Sequence, residues 1–245
     1  MALVAVILST VIYALLQPAP ELLVVGTDSL FVLVPGVCSF LGFLVVKRWG
    51  FRGKFGFVHL GLFLAVFIWF VGETVWAVCE VFLNVAIPYP SIADVFYVAG
   101  YVPVLAGMLQ FIRAFGGQLS RRASYLAVAS CFAIIILTGA FLTYPLIIES
   151  ADVTTKIFDV AYPALDSIIL GLAVLMFFIF RGGYLAKSWA WIFLGLFLTS
   201  LGDIAFSLGT LQGWYYSGHP VELVYLWGYI SIALGFDIQR EELLV

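Results

Sequence analysis

Asp94-Val95-Phe96-Tyr97-Val98-Ala99-Gly100-Tyr101, near the middle of the chain, returns 128 positions later as Glu222-Leu223-Val224-Tyr225-Leu226-Trp227-Gly228-Tyr229. The acid, both tyrosines and the glycine keep their spacing, while the positions between them drift. The same offset carries Pro35 onto Pro163 and Gly107 onto Gly235, and with a gap of two residues it carries Gly72-Glu73 onto Gly202-Asp203. A fixed period over about half a chain is the mark of a duplicated unit. Both copies keep a carboxylate within an apolar segment, where an ionisable group costs about 2.5–3.5 kcal/mol on insertion scales and is a functional-site candidate by default.

The segments around these motifs belong to a membrane. Of the 245 residues 64% are hydrophobic and only 10% charged, against about half and a quarter in soluble domains. Apolar runs at 2–17, 27–47, 56–84, 92–114, 123–147, 157–181, 188–211 and 221–238 are separated by short polar breaks. Each is close to the roughly 20 residues a helix needs to span the hydrocarbon layer, except the first, which ends at Gln17-Pro18-Ala19-Pro20. A cleaved signal peptide is the rival reading of that run, but it lacks a basic leading region and has an equivalent near 123–147. The expected fold is all-α: a polytopic membrane protein of eight transmembrane helices in two tandem four-helix repeats, 1–122 and 123–245. Four helices per repeat is an even number, so both copies enter the membrane in the same direction and are expected to be parallel, related by an axis along the membrane normal. Pro35 and Pro163 fall inside spans and predict paired kinks.

Ten of the eleven Lys and Arg residues follow even-numbered runs; Lys156 is the exception. The positive-inside rule then places both termini in the cytoplasm. Acids sort the other way, with Glu21, Asp28, Glu149, Asp152 and Glu222 in outer loops or helix starts. Cys38, Cys79 and Cys131 have no metal or redox spacing and are expected to be small packing residues. Trp189, Trp191, Trp214, Tyr215 and Tyr216 suggest interfacial belts. No basic arm or nucleic-acid-binding stretch exists, and after Phe236 only Asp237 to Val245 follow, too few for an output module.

The residues that could carry chemistry gather in four runs. Glu73, Trp76 and Glu80, at intervals of three, four and seven, share a face of the third run. Asp203 takes the place of Glu73 in the seventh, with Phe206 where the first half has Trp76. Ser91-Ile92-Ala93-Asp94 has the form of a capping box, which gives Asp94 a structural occupation, and Glu222 after His219-Pro220 also sits at a helix start. Tyr97 and Tyr101 lie on the face of Asp94, as Tyr225 and Tyr229 lie on that of Glu222, and buried phenols normally need partners. The sixth run adds Asp159, Tyr162 and Asp166 on one face; Asp166 has no acidic equivalent, since Cys38 takes the aligned position. No Lys or Arg lies deep in a span, so these acids must be protonated, pair with one another or hold a cation. Several carboxylates with His219 could bind a divalent ion, but no metal-ligand spacing appears. His59 is expected to be an interfacial or packing residue. The sequence contains no nucleophile motif, phosphate loop or lysine placed for a retinal-type Schiff base, and it names no cofactor.

Gly72-Glu73-x-x-Trp76-x-x-x-Glu80 followed by Pro90-Ser91-x-Ala93-Asp94-x-x-Tyr97-x-x-Gly100-Tyr101 resembles the multi-helix membrane sensory domain found ahead of diguanylate cyclase, phosphodiesterase and histidine kinase modules. The resemblance extends to Tyr162-Pro163-x-x-Asp166 and Gly202-Asp203. It implies sensing of a membrane or extracytoplasmic signal, relayed here to a separate cytoplasmic partner. A weaker likeness, limited to the helix count and Leu201-Gly202-Asp203, is to lysoplasmalogenase-type membrane hydrolases. The expected ligand site is Glu73, Trp76, Glu80, Asp94, Tyr97, Tyr101, Tyr162, Asp166, Asp203, Glu222, Tyr225 and Tyr229, open to a lipid or small molecule. A proton- or cation-coupled transporter and a lipid-directed enzyme with paired carboxylates stay open as alternatives.

Overall fold

The computed structural model describes residues 2–51, 53–85, 87–118, 121–140, 144, 148, 152–179 and 186–242. Eight helices lie among them: α1 (Ala2–Leu16), α2 (Pro20–Trp49), α3 (Gly53–Ala77), α4 (Ile92–Phe115), α5 (Arg121–Thr138), α6 (Val153–Ile179), α7 (Ala186–Gln212) and α8 (Leu223–Glu242). Helix α3 continues into a π-helical turn, Val78–Phe82, and α8 is preceded by the 3-10 turn Pro220–Glu222.

Six of these helical stretches are long and apolar enough to cross a membrane: Pro20–Trp49, Gly53–Phe82, Ile92–Phe115, Val153–Ile179, Ala186–Thr210 and Pro220–Glu241. They mark a multi-pass membrane protein. The first and fifth apolar runs of the sequence also form helices, but α1 has 15 residues and α5 has 18, and their apolar cores are shorter still. Part of the fifth run, after residue 140, lies largely outside the described residues. The outward faces are apolar, as a lipid-facing surface requires: Val102 on α4 and Leu33 on α2 are 71% and 63% exposed.

Helix α3 packs along α4 and also along α2; α7 packs along α8 and also along α6. Between these groups α2 touches α8 and α4 touches α6. The seams are tight because small residues face each other. A Cβ at Gly61 would lie 2.5 Å from the Pro103 carbonyl oxygen of α4, and one at Gly195 would lie 2.6 Å from the Gly228 carbonyl oxygen of α8. Helices α2 and α6 run unbroken through Pro35 and Pro163, and α4 runs through Pro103.

At the end of the bundle where α2, α4 and α8 finish and α3 and α7 begin, rings close the interior. Trp49, Phe55 and His59 stack in sequence, and His59 and Phe111 both meet Trp189. His59 is fully buried, its Nδ1 2.7 Å from the Phe55 carbonyl oxygen and its Nε2 2.8 Å from the Gln239 side-chain amide. Because a carbonyl only accepts, Nδ1 carries the hydrogen. His59 is therefore a core residue, not an interfacial one. Trp189, expected in an interfacial belt, is fully buried, since the crossing of α3, α4 and α7 encloses it. Cys38 is likewise packed in the core, and Cys79 is half-buried. Lys47, Arg48 and Arg113 occupy last turns at this same end, and Arg240 there pairs with Asp237 at 2.8 Å.

Candidate functional site

The other end of the bundle holds the repeated acids. The glycine before each repeated acid explains how the tyrosines reach them. With no side chain at Gly72, the Tyr97 ring lies against α3; a Cβ there would come within 2.8 Å of the ring, and at Gly202 one would come within 2.9 Å of Tyr225. Each ring crosses the bare helix surface, and its hydroxyl arrives at the next residue along. Tyr97 donates to Glu73 Oε2 at 3.0 Å, and Tyr225 donates to Asp203 Oδ1 at 2.8 Å.

The second tyrosine of each motif reaches the opposite acid. Tyr229 donates to Glu73 Oε1 at 3.3 Å, and the Tyr101 hydroxyl lies 3.4 Å from Asp203 Oδ2. Thus Glu73 and Asp203 are each approached by one tyrosine from either half of the chain. Tyr101 departs from this reciprocity in one respect: it lies closer to Asp166 Oδ1, at 2.8 Å. A phenol has one hydrogen, and the shorter contact takes it. The Asp166 and Asp203 carboxyls are thus neighbours, facing the same hydroxyl.

Asp94 combines two tasks. Ser91 Oγ accepts from the Ala93 N–H at 3.2 Å and Asp94 Oδ2 accepts from the Ser91 N–H at 2.6 Å, which completes the capping box. Its other oxygen accepts from the Tyr162 hydroxyl at 2.7 Å, tying α4 to α6. Glu222 does the same for the α7–α8 connection: Oε1 accepts from the Tyr215 hydroxyl at 2.7 Å and the Gly218 N–H at 2.9 Å, and Oε2 from Tyr13 of α1 at 2.8 Å. Tyr215 is thus drawn inward and does not form part of an interfacial belt. Burial, with the Glu222 charge beside it, holds its phenol above the ordinary range, so it remains a donor. In the π-helical turn, Glu80 accepts from the Trp76 indole N–H at 2.9 Å and from Ser217 Oγ at 2.8 Å. Tyr89 donates to Asp159 Oδ1 at 3.0 Å.

These groups surround a cavity of about 130 Å3, room for about four waters at ~30 Å3 each. Glu73, Trp76, Asp94, Tyr97, Tyr101, Tyr162, Asp166, Asp203, Glu222, Tyr225 and Tyr229 line it. Glu80 lies one hydrogen bond behind, on Trp76 and Ser217. Among the described residues that line it there is no Lys, Arg or His. His219 sits outside, its Nδ1 capping the Val221 N–H at 3.1 Å and its ring beside Trp214 and Tyr216. Burial holds it below the ordinary histidine range. Among the described residues no three carboxyl, histidine or cysteine groups converge as a metal site would require.

Asp28, Tyr89, Tyr215, Ser217 and the walls Phe31 and Trp69 also line the cavity, although the sequence pointed to none of them as site residues. Asp28 read as a helix-start acid, but α2 begins at Pro20 and buries it two turns in, beside Glu80. The available signal was Thr27-Asp28-Ser29, a polar triplet in an apolar run. Tyr13 gave none beyond being a phenol in an apolar helix.

Two carboxyl oxygens in this lining, Asp28 Oδ2 and Asp166 Oδ2, are buried without a hydrogen-bond partner among the described residues. The neighbours of Asp166 there are the Asp203 carboxyl and Ser200, and the neighbour of Asp28 is Glu80. The site therefore presents acceptors, aromatic faces and no basic group. No protein-family model matches this chain, and no curated protein or solved structure matches it either.

Proposed function

We propose that the chain is a membrane sensory or ligand-binding module. It comprises eight spans in two tandem four-helix repeats, both termini are cytoplasmic, and a lipid or small molecule enters the acidic, aromatic cavity in the outer half of the bilayer. Occupancy is relayed through the bundle to a separate cytoplasmic partner. The observation that carries this reading is a roomy cavity lined by acids, two of which, Asp28 and Asp166, each leave a buried carboxyl oxygen without a hydrogen-bond partner among the described residues. A purely structural acid network would saturate its acceptors, because each buried orphan costs about 1–3 kcal/mol.

The repeat is supported by the reciprocal approach of Tyr97 and Tyr229 to Glu73 and of Tyr225 and Tyr101 to Asp203. The orientation is supported by basic residues at the ring-packed end and acids at the other. That block of buried rings favours binding from one side over passage through the bundle.

The test is native mass spectrometry of the full chain released from its own membrane, alongside melting of Glu73→Gln and Asp203→Asn. An amide keeps size while removing the charge. A copurifying molecule lost from both variants, at melting temperatures near that of the parent, is the expected outcome. Lowered melting temperature with the molecule still bound would reduce the acids to helix–helix glue and end this reading.

A second reading is favoured by one juxtaposition, that of Asp166 with Asp203. Two neighbouring carboxyls beside a cleft can divide the roles of general acid and general base. Conversion of a copurified lipid on incubation, abolished in Asp203→Asn, would favour this enzyme reading over simple binding.

A further inference from the structure

The lining of the cavity specifies the charge and the hydrogen-bonding sense of what it takes. Six of its residues are carboxylic acids, Asp28, Glu73, Asp94, Asp166, Asp203 and Glu222, and no cationic side chain faces them. An anion entering would meet no positive charge, and every ionised carboxyl there would repel it. The tyrosine hydroxyls do not change this, since each already donates to a carboxyl.

Two of the cavity's carboxyl oxygens lack donors. Asp166 is 1% exposed and Asp28 7%; both line the cavity, and each leaves one carboxyl oxygen without a hydrogen-bond partner among the described residues. An N–H-bearing cation answers both deficits, since it brings positive charge and several donors at once. A metal ion does not fit, because three or more ligating groups nowhere converge among the described residues and most carboxyl oxygens are committed to phenols. The remaining wall is aromatic, with Phe31, Trp69, Trp76 and Phe206 offering faces to a cation or to the apolar body attached to it. A quaternary ammonium would use the rings but leave the two oxygens without donors. A primary or secondary ammonium satisfies both.

Resting on the binding reading above, we infer that the cavity takes an organic ammonium ion: a primary or secondary amine head held by Asp166 and Asp203 or by Asp28, with an apolar body against the indole and phenyl walls. Such a head could belong to a free alkyl or aralkyl amine or to an aminophospholipid.

The experiment uses the full chain in phosphatidylcholine nanodiscs, with empty nanodiscs as the blank. Phenethylamine and hexylamine are titrated against 2-phenylethanol and hexanol by calorimetry, with the indole fluorescence of the cavity as a second readout. Saturable binding of the amines, roughly thirtyfold or more tighter than of the alcohols, is expected, with a comparable loss in Asp166→Asn or Asp28→Asn, the scale of removing one partner of a buried charged hydrogen bond. Either variant suffices should the other fail to fold. Nanodiscs containing phosphatidylethanolamine separate the two sources: a weakened apparent affinity for free amine identifies the lipid headgroup, and an unchanged one identifies the soluble amine. Equal binding of amines and alcohols, sensitive to Tyr101→Phe, overturns the ammonium assignment while leaving the cavity a binding site. No saturable binding of either class, with nothing copurifying, overturns both.

Discussion

The hydrogen bond that recurs in this protein runs from a tyrosine hydroxyl to a carboxyl group, and its geometry makes single residues testable. Tyr101 stands out because its hydroxyl lies between Asp166 and Asp203. Removing it in Tyr101→Phe leaves the ring against Trp69 and Tyr162 but strips a donor from a buried carboxyl pair. The expected cost is about 1–3 kcal/mol of stability, the scale of a buried acceptor left unsatisfied. Unfolding of the purified protein in detergent measures it, with Tyr125→Phe on the exposed surface of α5 as a control expected to change nothing. Equal melting of the two variants would mean that the Tyr101 contact contributes nothing to stability.

At the level of helices, the repeated Gly-acid dipeptide is a device for close approach. Gly202 lets Tyr225 lie flat on α7, and the acid that follows is placed at the end of the ring. In Gly202→Ala the new methyl group would meet the ring inside ordinary contact distance, so either the ring or the helix pair must shift. An expected loss of about 1–3 kcal/mol follows from overpacking, the Tyr225–Asp203 bond being lengthened with it. Gly117→Ala, with open space around its site, is the control. The same substitution at Gly72 should act on Tyr97 and Glu73 in the same sense. If Gly202→Ala melts with the parent, the bare helix surface is not what seats the tyrosine.

For the molecule as a whole, the separation of charge between the ends predicts a topology. Lys54, at the start of α3, belongs to the basic, ring-packed end, and Gln212, at the end of α7, to the acidic end. After Cys38, Cys79 and Cys131 are replaced by alanine, Gln212→Cys is expected to react with an impermeant maleimide in intact cells, and Lys54→Cys only once the membrane is opened. The reverse pattern would invert the protein and place the cavity on the cytoplasmic side.

How much of this was legible beforehand differs between features for physical reasons. Apolar length and the placement of Lys and Arg are properties of segments. From them alone the sequence identified a multi-pass helical protein, the spacing of its repeated acids and tyrosines, and the Ser91–Asp94 cap, a contact between neighbours in the chain. One part of that reading changed in the structure: Trp189 and Tyr215 turned inward, because burial depends on which helices cross nearby and not on a residue's distance from a helix end. The sequence named most of the acids and tyrosines of the cavity, but their pairings, and the lining by Asp28 and Tyr215, were decided by tertiary structure. Tyr13 and Glu222 are 209 positions apart, and Asp28 meets Glu80 from another helix. No periodicity encodes such pairs. Which carboxyl receives which phenol, and which oxygens receive none, depends on distances of a few tenths of an ångström between helices, set by packing at residues such as Gly72 and Gly202 that carry no chemistry of their own.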